Sequence, residues 1–121
     1  MNLTLKQPAL QAQVARGGAI ELLVPMLSER EEQMEEVAGA LTNLADTHAG
    51  NQAAIARAGA VAPLVRLLGT ERGNSASNRE EAAGALMNLS ACEENKAAIV
   101  AAAAVAPLVA LLADGTQAWF Y

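Results

Sequence analysis

The chain has 121 residues and a formal net charge of −5, with 53% hydrophobic but only 2% aromatic residues. Twenty-nine Ala and sixteen Leu outweigh eleven Val and Ile, which argues for helices and excludes a β-sandwich or barrel. That apolar content excludes disorder, and an acidic chain without a basic stripe lacks the electrostatic footprint of a binder of nucleic acid or of anionic membranes.

The N-terminal Met1–Lys6 has no charged start followed by an apolar run, so no secretory signal is expected. With a single cysteine, Cys92, no intrachain disulfide can form, and a cytoplasmic and/or nuclear setting is expected. Short helices are expected near 8–16, 50–57 and 94–101. Middle helices are expected near 19–28, 60–69 and 104–113, and long helices near 30–45 and 78–91. Gly18 and Gly59 mark corners where φ > 0 is easily adopted, and Pro63 and Pro107 fall just inside helix starts, where a missing N–H is harmless. Pro25 lies inside a middle helix and should bend it. Met34, Val37, Leu41 and Leu44, spaced 3, 4 and 3, form one apolar stripe, repeated by Ala82, Leu86 and Leu89. Ala103 replaces the corner glycine, so that corner either tightens or the two helices run on. The uncharged stretch 97–113 is short, rich in weakly apolar Ala and interrupted by Pro107, so no membrane span is expected.

The chain repeats itself. Ala58-Gly59-Ala60-Val61-Ala62-Pro63-Leu64-Val65-Arg66-Leu67-Leu68 recurs as Ala102-Ala103-Ala104-Val105-Ala106-Pro107-Leu108-Val109-Ala110-Leu111-Leu112, and an earlier copy is anchored at Ile20. Val37-Ala38-Gly39-Ala40-Leu41-Thr42-Asn43-Leu44 matches Ala82-Ala83-Gly84-Ala85-Leu86-Met87-Asn88-Leu89. Asn51-Gln52-Ala53-Ala54-Ile55 pairs with Asn95-Lys96-Ala97-Ala98-Ile99. Anchors Ile20, Val61 and Val105 give periods of 41 and 44, in the range of helical solenoids.

These three blocks, agreeing in order and spacing, resemble the armadillo repeat, and are similar to its catenin-like and plant U-box-ligase-like versions. The resemblance covers residues 1–113 and implies an all-α, right-handed solenoid with three helices per repeat. Its divisions would be a partial repeat 1–16, repeats 17–57 and 58–101, and a partial repeat 102–121. Solenoids need about three repeats with polar caps, so two full repeats with ragged flanks point to a fragment, or to a chain stabilised by self-association.

No catalytic constellation emerges. His48, with Asp46 nearby, and Cys92 fall in matching interhelix turns with no nucleophile motif or metal cluster around them, so no catalysis, cofactor or metal is expected. Asn43 and Asn88 recur late in helices otherwise rich in Ala and Leu, although Asn is a mediocre helix former. In armadillo proteins the matching asparagine lines the concave face and can clamp the backbone of an extended peptide. An inter-repeat hydrogen bond is the alternative, and both can hold. Gly39 and Gly84 stand where importin-like members carry tryptophan, which removes the aromatic wall that nuclear-signal recognition uses. Counting back from Asn43 gives Gly39, Glu36 and Glu32 on one face, and from Asn88 gives Gly84, Glu81 and Ser77. The resemblance thus implies a non-catalytic interaction module whose partner is an extended, basic peptide segment. The alternatives are a substrate-recognition segment of a larger protein, such as a ubiquitin ligase, and a self-assembling repeat. The aromatic tail Trp119-Phe120-Tyr121 is either an improvised cap on the C-terminal face or a frayed end.

Overall fold

Helix rules and repeat spacing lead to the same architecture. The computed structural model describes residues 8–29, 31–69 and 75–114, the side chains of 31 and 104–114 excepted. Among the described residues there are seven α-helices and no strand: α1 (Pro8–Arg16), α2 (Ala19–Glu29), α3 (Met34–Ala45), α4 (Ala49–Arg57), α5 (Val61–Arg66), α6 (Ala76–Leu89) and α7 (Glu93–Asp114). A 3-10 turn, Glu31–Gln33, leads into α3. The expected aromatic tail lies outside the described residues.

The order is short, middle, long, and then again. The stripe on α3 buries Val37, Leu41 and Leu44, and that on α6 buries Ala82, Leu86 and Leu89. Both stripes join Ile20, Val24 and Leu27 of α2, Ile55 of α4 and Leu64 of α5 in one core. The most extensive helix pairing is α3 with α6, the two long helices side by side. Ala38 and Ala45 on α3 and Ala82 and Ala85 on α6 are all essentially inaccessible, so small side chains let these helices approach. This is an all-α solenoid.

The glycine corners behave as their type requires. Gly18 and Gly59 have φ of 96° and 97°, each between a short and a middle helix. An L side chain there meets its own carbonyl, while glycine does not. Ala103 occupies the equivalent place, and the helix runs straight through it: α7 spans Glu93–Asp114 without a corner. This overturns the separate middle helix over 104–113 and the placing of Pro107 at a helix start, since the proline lies well inside α7. Pro63 does sit in the first turn of α5. Pro25 does not end α2, which continues through it to Glu29.

Gly59→Ala is therefore expected to cost about 1–2 kcal/mol. Apart from the glycine itself and its two chain neighbours, no atom lies within 4 Å of the added Cβ, so the cost is backbone strain alone. Urea unfolding followed by circular dichroism measures it, and Gly59→Asn should lose less, because Asn tolerates the left-handed region.

Candidate functional site

The last four carbonyls of any α-helix lack intrahelical partners. At the end of α3 they are met from three sides by side-chain amides. Asn88 Nδ2 of α6 donates to the Thr42 carbonyl at 2.9 Å. Gln11 Nε2 of α1 donates to the Asn43 carbonyl at 3.0 Å and to the Asp46 carbonyl at 2.7 Å. From α4, Asn51 Nδ2 donates to the Leu44 carbonyl at 2.9 Å, and Gln52 Nε2 to the Ala45 carbonyl at 2.9 Å.

The pattern recurs one repeat later. Asn95 Nδ2 donates to the Leu89 carbonyl at the end of α6 and to the Gln52 carbonyl of α4, both at 3.0 Å. Asn51 makes the same second bond, to the Gln11 carbonyl of α1 at 3.1 Å. Gln11, Asn51, Gln52 and Asn95 are all buried. Each long helix is thus tied to the following short helix, and successive short helices are tied to each other. The Asn51/Asn95 recurrence is visible in the sequence, but the carbonyls it serves are not. Gln11 and Gln52, 41 apart, carry the same kind of signal.

His48 has a structural task. It is the N-cap of α4, its Nδ1 accepting the Asn51 N–H at 3.0 Å. The bond requires an unprotonated Nδ1 and satisfies one of the free N–H groups of the first turn. The segment from Leu44 to Asn51 is one residue longer than that from Leu89 to Asn95, and in it Thr47 adopts φ 49°. Among the described residues no group of three His, Cys, Asp or Glu side chains converges on a metal-sized site. No helix there is long and apolar enough to cross a membrane.

The expected groove residues, Glu32 excepted, lie on α3 and α6. Glu36 is exposed, while Asn43, Gly39, Gly84, Glu81 and Asn88 are half-buried. Asn88 bridges to Thr42 of the preceding repeat, so the inter-repeat bond exists at this position. Asn43 is also engaged in a contact of its own. Glu32 differs from expectation, since it lies on the 3-10 turn before α3 and helical counting from Asn43 does not carry to it. Glu81 is brought against Gly39: a Cβ there would stand 3.2 Å from Glu81 Oε2. The missing side chain at 39 makes room for the carboxylate between the two long helices. Glu32, Glu35, Glu36 and Glu80 are exposed on the turn before α3 and on the opening turns of α3 and α6, where Arg79 lies half-buried.

Residues 48–91 match the family model described as Armadillo/beta-catenin-like repeat. Over 87 residues, 69% of this chain, the sequence is 37% identical to catenin delta-2 of Homo sapiens and, equally, of Mus musculus. The chain spans 7% of the length of each of these relatives. No solved structure matches the chain significantly.

Proposed function

This chain belongs to the armadillo-repeat family, and from that premise we propose that it is a non-catalytic protein-interaction module binding an extended, basic peptide segment along α3 and α6. The observation that carries the reading is the Glu81 carboxylate seated over Gly39, with Glu36 exposed on the adjoining helix. Gly39 and Gly84 carry no side chain, and the Glu81 carboxylate stands beside the first and the Thr42 methyl beside the second.

Packed helices lie about 8–10 Å apart and an extended peptide advances about 3.3–3.6 Å per residue, so each repeat spans roughly two to three ligand residues. Two repeats grip only a short segment, which places affinity at about micromolar or weaker. Asn43 and Asn88, late on α3 and α6, would offer an amide to the peptide backbone, Asn88 while also joining repeats.

Fluorescence anisotropy with labelled Lys/Arg-rich and Glu-rich extended peptides tests the proposal. The basic peptide is expected to bind and to weaken as salt is added, because exposed charges are screened. Glu36→Lys with Glu81→Lys should weaken basic-peptide binding by about tenfold or more, the equivalent of roughly 1.4 kcal/mol, and turn the preference toward the acidic peptide. Equal binding of both peptides by the unaltered chain, or an unchanged preference in the double variant, would remove the groove assignment.

A further inference from the structure

Residues 102–112 copy residues 58–68, differing only where Ala103 replaces Gly59 and Ala110 replaces Arg66. The two backbones nevertheless differ. At Gly59 the chain leaves α4 through a glycine-centred helix end. The Gly59 N–H donates to the Ala56 carbonyl at 3.0 Å and the Ala60 N–H to the Ile55 carbonyl at 3.4 Å, with φ of 97° at Gly59. The helical bonds of α5 then begin with the Leu64 N–H donating to the Ala60 carbonyl at 3.1 Å. The Gly59 carbonyl stays outside that ladder, so Pro63 lacks an N–H where no helical bond is required. In α7 the same residue pattern runs on as helix through Ala103 to Asp114. There Pro107 lies in the interior of a 22-residue helix, and it has no N–H to give the carbonyl of Ala103, four residues back.

Each arrangement is opposed by one residue. The straight helix is opposed by Pro107, because proline is the least favourable residue in a helix interior. The corner is opposed by Ala103, because a Cβ disfavours the left-handed φ that Gly18 and Gly59 adopt. Of the two penalties the proline's is the larger. Packing works the other way: α7 pairs with α5 more extensively than α4, its equivalent, pairs with α2. We propose that α7 is a hinged helix, exchanging between this straight form and a cornered one. In the cornered form the helix ends before Ala103, and residues 105–113 make a separate helix, as Val61–Arg66 does after α4. The missing backbone bond falls at the residue where the other repeats turn, so the hinge needs no further change in the helix. A ligand that contacts the segment beyond Ala103 better in one form shifts the balance by its differential affinity.

Double electron–electron resonance tests the hinge, with spin labels on Lys96→Cys and Asp114→Cys in a Cys92→Ser chain. The 18-residue step from 96 to 114 is about 27 Å of straight helix, and a corner at 103 gives a second, shorter distance. Both distances are expected in the chain with Ala103 and Pro107 intact. Ala103→Gly should raise the ratio of short to long by about tenfold, since it relieves the left-handed residue and weakens the helix there. Pro107→Ala should lower that ratio by about a hundredfold and leave the long distance alone. The 13Cα secondary shifts of residues 101–106 in unlabelled chains give the same reading and decide the matter where a label disturbs the helix. A single long distance in both the intact and the Ala103→Gly chains would overturn the proposal. So would a short distance that survives Pro107→Ala undiminished, or a short distance alone in the intact chain.

Discussion

Asn51→Ala is expected to lower the free energy of unfolding by about 2–4 kcal/mol. Asn51 is 4% exposed, and its Nδ2 serves two carbonyls at once, Gln11 on α1 and Leu44 on α3. Alanine deletes both donors, and water has no easy route to either carbonyl. Leaving a buried acceptor unsatisfied costs about 1–3 kcal/mol, more than the net value of an ordinary hydrogen bond. The loss also uncouples the two repeats, because one bond holds the end of α3 and the other holds the preceding short helix. Urea unfolding measures the change. Lys96→Ala, in the equivalent of the Gln52 position but exposed, should stay within about 0.5 kcal/mol of the original. An Asn51→Ala chain as stable as the original would mean that these carbonyls find other donors.

Leu41→Ala is expected to cost about 2–5 kcal/mol through lost burial and the cavity left behind. Leu41 is 1% exposed in the middle of α3, within the core shared by both repeats. The neighbouring buried positions Ala38, Ala82 and Ala85 are alanines, which have no side-chain length with which to fill the gap. A domain of this size has a total stability of about 5–15 kcal/mol, so the variant should show a much lower unfolding midpoint or be partly unfolded. Met87→Ala, on the same kind of helix but 71% exposed, should change stability by less than about 0.5 kcal/mol.

The apolar stripes and the corners could be read directly from the sequence because each follows from one residue's own physics. Val37, Leu41 and Leu44 lie on one face by the 3.6-residue period, and Gly18 and Gly59 are the residues that accept φ > 0 without strain. Ala103 left two outcomes open, and the continuous α7 is the one without a left-handed alanine. Pro107 misled because a proline signals a helix start only where a corner precedes it. The 3-10 turn at Glu31–Gln33 was hidden in an acidic run that helical counting treats as ordinary helix, so the count from Asn43 reaches Glu32 across a change of helix type.

The amide network was the least legible part. Periodicity shows that Gln11, Asn51, Gln52 and Asn95 recur, but their task depends on where neighbouring helices end and on which carbonyls those ends expose. Asn88 was marked by the same recurrence, and its bond to Thr42 depends on how closely α6 approaches α3. That approach is permitted by Gly39 and the buried alanines together, a property of two helices that neither segment shows alone.

Mapping amide chemical shifts while an extended Lys/Arg-rich peptide is titrated into the chain at low salt tests the central claim most directly. The account predicts salt-sensitive shifts concentrated at Glu36, Gly39 and Asn43 of α3 and at Glu81, Gly84 and Asn88 of α6. Shifts concentrated instead on α2, α5 or α7, or no shifts at peptide concentrations well into the millimolar range, would contradict it.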